Sequence, residues 1–415
     1  MFQYKQSVQY TLQNDLCVGC GICEDICPSK AISTIIHNGR LLPTINVSLC
    51  KNEKGCHRCM DSCPGIGCDL VHKASDLFQS VSIIEHRYIG KYLKCFSGYS
   101  TEETIRLKAS SGGVLTHFLI WLLENKKIDG AVVTKFAKNE PLYVKTFIAT
   151  TKEEIIASMG SKYAPVSYHE TITNIKSAKG SRYVIIGLPC HIHGFRKVLE
   201  FDKQFRQKIV GLFSLFCSGT QTFNYTEYIV RCLGGTIEKL DYLAYREGNP
   251  SGMVVYGNDF AFLKEYEKYN LPLKSTFYPR RCLLCVDMFG ELADLSFGDI
   301  HTDIKEEAGD GISAIIARSQ QWLGLLLNAK SDGALFLNEI TVDRLLQRRK
   351  MAKIKKTRNA SFVALLKNVH RVVPEYGSSY NTKVKINIAL RYTIMRIKQF
   401  IGSHKKLWFL LPKIQ

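Results

Sequence analysis

Apolar and polar residues along this chain follow two different periods, and the places where the period changes outline its elements. From Val114 to Glu124 the apolar residues recur at helical spacing, and Ile128 to Thr134 then has the pattern of a buried strand. Two more short apolar runs, Tyr183 to Ile186 and Ile209 to Phe216, lead into Gly187-Leu188-Pro189-Cys190 and Cys217-Ser218-Gly219-Thr220. Helical and strand-like stretches alternate from Lys91 to Asn338, which predicts an α/β domain. Such domains build their sites where strands end, so two cysteines stand at candidate site positions. Near the C-terminus, Val384, Ile388, Tyr392 and Met395 lie at helical spacing. A second stripe follows Ile386, Leu390, Ile394, Ile397 and Ile401, with Lys385, Arg391, Arg396 and Lys398 interspersed.

Composition changes this picture little, and charge changes it more. The 415 residues are 46% hydrophobic and 22% charged, an ordinary globular balance with room for two or three domains. Met1 to Asp15 has no apolar leader core, and nowhere do eighteen uncharged apolar residues run together. A cytoplasmic chain without a spanning helix is therefore expected. The net charge is +19, and Asp343 to Gln415 holds 18 Lys or Arg against only Asp343 and Glu375. The body is close to neutral, which predicts a basic helical tail at 343–415 and argues against a nucleic-acid grip spread over the fold. Two readings of that tail stay open. It is a peripheral contact at the inner face of the membrane, with Trp408-Phe409-Leu410-Leu411 entering the interface, or a helix packed on its own body or on an acidic protein.

The chemistry is carried by cysteine. Cys17, Cys20, Cys23 and Cys27 precede Pro28 in an unbroken C-x-x-C-x-x-C-x-x-x-C-P run, and Cys50, Cys56, Cys59 and Cys63 precede Pro64 with a wider first gap. In this spacing three thiolates of one loop wrap a 4Fe-4S cube and the fourth reaches the neighbouring cube. Cys17, Cys20, Cys23 and Cys63 are the expected ligands of one cluster, and Cys50, Cys56, Cys59 and Cys27 those of the other. A zinc site would not need the third and fourth cysteine of each run. Cys282 and Cys285 add a C-x-x-C. With Cys190 and Cys217 they form either the four ligands of a third cluster or two buried thiols and a small zinc pair, and spacing alone leaves both open. Cys95 and Cys232 read as core thiols, and Cys68 as a spare buried thiol or a substitute for Cys50. Ser110-Ser111-Gly112-Gly113 opens the first helix, where it is either a phosphate cradle or an ordinary cap. His191 and His193 are candidates for cluster tuning or proton relay, with packing the blander reading. Asp294 and Asp299 read as caps of backbone N–H groups.

The motif order after residue 90 resembles the beta-subunit family of coenzyme F420 hydrogenases and dehydrogenases. The matching pieces are Ala109-Ser110-Ser111-Gly112-Gly113, Ile128-Asp129-Gly130-Ala131, Gly160-Ser161-Lys162-Tyr163, Gly187-Leu188-Pro189-Cys190, Phe216-Cys217-Ser218-Gly219, Cys282-Leu283-Leu284-Cys285 and Ala293-Asp294-Leu295-Ser296-Phe297-Gly298-Asp299. Ile300-His301 departs from the variable residue and tryptophan that commonly follow in the family. The resemblance implies an α+β ferredoxin-like 2x4Fe-4S domain at 1–75, an α/β flavin domain at 90–340 and the basic tail. It places a third 4Fe-4S cluster on Cys190, Cys217, Cys282 and Cys285, and FAD or substrate contacts around Ser111, Gly112, Gly113, Ser161, Lys162 and Tyr163.

The same resemblance implies a flavin-dependent oxidoreductase that passes electrons between a two-electron donor such as reduced coenzyme F420, FAD and the clusters. Its partners would be a redox protein or ferredoxin and a small-molecule hydride donor or acceptor. Two other readings compete: a ferredoxin-dependent reductase of a metabolite, in surface polysaccharide biosynthesis for example, and a non-catalytic electron-transfer subunit.

Overall fold

The computed structural model describes residues 4–138, 140–247, 252–258, 260–300, 311–347, 350–377 and 386–414. Behind the first cysteine run comes a hairpin, β1 (Ile32–His37) and β2 (Arg40–Ile45). Asn38 and Gly39 turn it with positive φ at both positions, as a two-residue hairpin loop requires. A small ribbon, β3 (Ile84–His86) and β4 (Gly90–Tyr92), leads into the larger part of the molecule.

Its strands are β5 (Lys94–Ser100), β6 (Gly130–Ala137), β7 (Glu140–Ala149), β8 (Tyr183–Gly187), β9 (Ile209–Leu215), β10 (Leu240–Glu247), β11 (Gly252–Gly257), β12 (Phe260–Glu265), β13 (Leu295–Asp299), β14 (Ser313–Ala317) and β15 (Leu335–Ile340). Eight make one mixed sheet in the order β15-β5-β14-β13-β9-β8-β6-β7, and β10-β11-β12 form a separate antiparallel sheet. The strand expected at Ile128 begins two residues later, and the three-stranded sheet was not foreseen.

Strand residues alternate between two cores, which is why these segments read as apolar runs. Ala131, Val133, Val184, Ile186 and Phe213 join the core of the helices Val114–Glu124 and Gln320–Ser331. Val132, Ile185 and Leu212 join Ile192, Phe195 and Val198 of the helix Pro189–Phe201 on the other face. The pairs β6–β8, β8–β9 and β9–β13 are parallel. β5 runs the same way, since it and β13 both pair antiparallel with β14. The carboxyl ends of five strands, at Ser100, Ala137, Gly187, Leu215 and Asp299, therefore share one edge.

The N-terminal cysteine segment is seated on this body. The Asp25 carboxylate accepts from the backbone N–H groups of Ile172 and Thr173 and from the Thr173 hydroxyl. A Cβ on Gly194 would stand 2.6 Å from Ile22, so only glycine allows the loop this close to the helix Pro189–Phe201. Lys197 Nζ donates to Cys63 O at 2.7 Å.

The tail is not a detached appendage. Lys355, Lys356 and Asn359 are buried, and Trp408 packs edge-on against Tyr228 and Phe277. Arg280 Nε donates to the Tyr392 hydroxyl at 2.8 Å, and Arg396 pairs with Asp15 at 3.1 Å. Val384 and Lys385 of the expected helix lie outside the described residues, as does His301. No described helix is long and apolar enough to cross a membrane.

Candidate iron–sulfur and electron-transfer site

Gly19 and Gly21 hold φ of +74° and +72°, letting the first run bend back on itself. Gly21 caps the four-residue helix Ile22–Asp25, and Tyr168 N donates to Cys20 O at 2.8 Å. This turn and the Cys63-Pro64 end of the second run wall a small pocket lined by Cys17, Cys20, Cys23 and Cys63 with apolar Val8 and Leu41. Burial, and then neighbouring cysteine charge, push the Cys17, Cys20 and Cys23 thiols up, Cys17 to about 11. Thiols so placed are held as thiolates by a cation bound among them, so the donor set suits a cluster.

Next to this set, Cys27, Cys50 and Cys59 gather. They pack in one apolar cluster with Cys23 and Cys63. Cys59 is pushed to about 11 by burial, with Cys63, Cys27 and Cys50 adding to it. Ala31 N donates to Cys27 Sγ at 3.3 Å, the kind of hydrogen bond that steadies a ligand sulfur. Cys56 lies on the turn before the helix Arg58–Asp61, its carbonyl held by the buried Asn52 amide at 3.2 Å. Among the described residues no three His, Cys, Asp or Glu side chains close around a single metal ion. A cube holds its thiolates on separate irons, farther apart than the ligands of one ion.

The third set converges from three separate loops. Cys190 starts the helix after β8, Cys217 follows β9 with its N–H on Met288 O at 2.9 Å, and Cys282 and Cys285 flank the end of the helix Arg280–Leu283. Burial raises Cys190, and Cys217, Cys285 and Cys282 raise it further. Cys217 is pushed up to about 12 by burial, against the pull of Lys355. Cys68 and Cys95, by contrast, lie in hydrophobic cores.

A buried cation completes this set, and sequence reasoning missed it. Lys355, 1% exposed, puts Nζ 3.4 Å from Cys285 Sγ and 2.9 Å from Asp287 O. Burial alone would lower its pKa, but the Cys285, Cys217 and Cys282 thiolates outweigh that and raise it. Asn359 Nδ2 holds Cys285 O at 2.9 Å and Cys282 O at 3.3 Å. Asp287 accepts His193 Nε2 at 2.9 Å and the N–H groups of Phe289, Gly290 and Glu291. The one sequence signal was helical spacing between Lys355 and Asn359, hidden in the run that read as a basic helical tail.

The first and third sets adjoin. Arg281, beside Cys282, donates from Nε to Gly65 O at 2.8 Å and from Nη2 to Pro64 O at 3.1 Å, next to Cys63. Tyr168 is raised by burial and then by both Cys190 and Cys20. The Tyr168 ring meets His191 edge-on at 4.8 Å, and burial holds that imidazole neutral, its pKa lowered to about 3. His191 therefore packs and caps, accepting from Leu188 N at 3.2 Å.

The residues expected to contact flavin lie along the carboxyl edge of the sheet in two groups. Ser111 Oγ donates to Ile312 O at 2.8 Å, and Gly112 presses on Gly98 O. Gly113, at φ +74°, caps the helix Val114–Glu124, and Ser110 Oγ beside it is buried with no hydrogen-bond partner among the described residues. A buried, unpaired hydroxyl at a helix N-terminus suits a phosphate oxygen. In the second group Lys162 Nζ donates to the carbonyls of Ser158, Met159 and Gly160 at 2.7, 2.8 and 3.0 Å. Tyr163 packs at a tilt in an aromatic nest with Tyr245 and Tyr266. Between the groups, Arg246 pairs with Asp299 at 2.6 Å. Asp294 is structural, binding Leu212 N at 2.8 Å and Arg196 at 3.0 Å.

Comparison with known proteins fits this layout. Residues 95–173 match the family model "Coenzyme F420 hydrogenase/dehydrogenase, beta subunit N-term", and residues 180–343 match that of its C terminus. Residues 10–33 match a 4Fe-4S binding domain. The chain is 26% identical over 332 residues to the coenzyme F420-dependent sulfite reductase of Methanocaldococcus jannaschii, covering 77% of this chain but only 46% of that longer protein. It is 26% identical over 264 residues to the coenzyme F420 hydrogenase subunit beta of Methanosarcina barkeri, covering 60% of this chain and 83% of that one. A chain of the F420-reducing [NiFe] hydrogenase complex from M. barkeri has a similar fold, with a TM-score of 0.54 and 23% identity, over 69% of this chain and 96% of that chain.

Proposed function

Because this chain belongs to the coenzyme F420 hydrogenase/dehydrogenase beta-subunit family, we propose that it is an iron–sulfur flavoprotein passing electrons between a two-electron carrier and a row of 4Fe-4S clusters. The observation that carries this is the adjacency of the three cysteine sets, with Arg281 and Tyr168 spanning the gap between the first and the third. The N-terminal sets would be held by Cys17, Cys20, Cys23, Cys63 and by Cys27, Cys50, Cys56, Cys59. The third would be held by Cys190, Cys217, Cys282 and Cys285.

The carboxyl edge of the sheet is where a flavin fits this plan. Ser110, Ser111 and the helix N-terminus behind Gly113 are set to bind phosphate, and Lys162 and Tyr163 wall the other end. When bound, FAD supplies the exchange between a hydride and single electrons, which clusters alone cannot perform. The protein's part is to place the ring, bury it, and tune the clusters through hydrogen bonds to sulfur. Reduced coenzyme F420 is the first candidate donor, and a ferredoxin or another redox protein the candidate partner at the N-terminal clusters. Similarity to a sulfite reductase favours a second reading, with electrons running inward to an oxidised substrate.

Anaerobically reconstituted protein should carry about twelve irons and twelve acid-labile sulfides, four of each per cluster, with FAD bound. About eight irons would remove the third cluster. Stoichiometric zinc without labile sulfide would overturn the reading.

A further inference from the structure

The C-terminal helix, Ile386–Ser403, is apolar on two opposite sides, and the described residues cover only one. Ile388, Tyr392 and Met395 form an inward seam with Leu283, Phe362 and Val373, continued by Gln399 on Pro279 O at 3.4 Å. Half a turn away, Leu390, Ile394 and Ile397 are 62%, 45% and 52% exposed, with Phe400 beside them at 57%. The helix runs into the turn Lys405–Leu410, which buries Trp408 but leaves Phe409 79% exposed. Of the second stripe legible in the sequence, Leu390, Ile394 and Ile397 face out, while Ile401 packs inward against the core around Trp408. A helix apolar all round is normally buried on every side.

Charge indicates what covers the outer side. After Glu375 the chain contains no Asp or Glu, but it has Lys383, Lys385, Arg391, Arg396, Lys398, Lys405, Lys406 and Lys413. Arg396 and Lys405 pair inward with Asp15 and Glu227. Arg391, Lys398 and Lys406 are exposed beside the stripe. An aliphatic stripe with basic flanks, ending in a protruding Phe-Leu pair, is the composition of a helix lying in the plane of a bilayer interface. Anionic lipid offers the continuous apolar layer and the negative headgroups together.

We propose that the outer face of this helix, with Phe409 and Leu410, docks the protein on an anionic lipid surface. The test is cosedimentation of the full-length, cluster-loaded protein with phosphatidylcholine vesicles with or without phosphatidylglycerol. Binding should require phosphatidylglycerol and fall as salt rises. The Ile394→Asp/Ile397→Asp and Phe409→Ser/Leu410→Ser variants should bind at least tenfold more weakly while keeping wild-type iron content and cluster absorbance. No vesicle binding by the wild type would overturn the proposal, as would equal binding by the variants. So would association only with an acidic protein. Since iron content is read separately, failure here leaves the electron-transfer reading untouched.

Discussion

Replacing Lys355 with Met should make the third cluster harder to reduce. The ammonium stands 3.4 Å from Cys285 Sγ in a buried site. At an effective dielectric of about 20, a unit charge at that distance is worth about 5 kcal/mol to an electron placed on the sulfur. An electron shared over the whole cube, with water relaxing into the vacated space, would lose less. About 1.5 kcal/mol is a reasonable expectation, which is roughly tenfold in the reduced-to-oxidised ratio, or about 60 mV for a one-electron couple. The assay is an EPR-monitored redox titration of wild type, Lys355→Met and Lys355→Arg, each checked for iron content. The Met variant should titrate lower and the Arg variant close to wild type. A third-cluster potential unchanged or raised in Lys355→Met, with iron retained, would refute the reasoning.

Cys217→Ser should lower iron from about twelve to about eight per chain and leave the N-terminal cluster signals in place; loss of all three would show that the sets fold as one unit. Asp25→Ala strands the N–H groups of Ile172 and Thr173, a loss of about 1–3 kcal/mol, and should speed proteolytic release of the N-terminal segment. Cleavage at the wild-type rate would show that the carboxylate does not secure it. Burial lowers the Lys162 pKa from 10.5 to about 8, so between those values the folded state binds fewer protons than the unfolded one. Stability should therefore rise with pH across that window in wild type relative to Lys162→Met, as thermal melts would show; parallel melts would mean that the amine is not desolvated.

The sequence exposed what depends on local pattern. The strand ending at Gly187 was legible because it is buried throughout, the helix at Val114–Glu124 and the strand ending at Leu215 because their buried residues follow a local apolar pattern, and the cysteine runs because their ligand loops are local in the chain. Contacts between distant segments were less accessible. Cys190, Cys217 and Cys285 come together only through the order β13-β9-β8 in the sheet, which no local period encodes. Lys355 looks the same in sequence whether it faces water or sulfur, so its place beside Cys285 was invisible. The tail's periodicity revealed two apolar stripes but not which would find the body. The sheet of β10, β11 and β12 escaped because its strands alternate buried and exposed residues over short lengths, a weaker signal than a fully buried run.

An anaerobic optical titration with reduced coenzyme F420 tests the central claim most directly. The account predicts that the donor's oxidation is matched by bleaching of the flavin and iron–sulfur absorbance of the same protein, two electrons per donor molecule. Absorbance that stays unchanged with reduced F420, with reduced nicotinamide nucleotides and with reduced ferredoxin would contradict it.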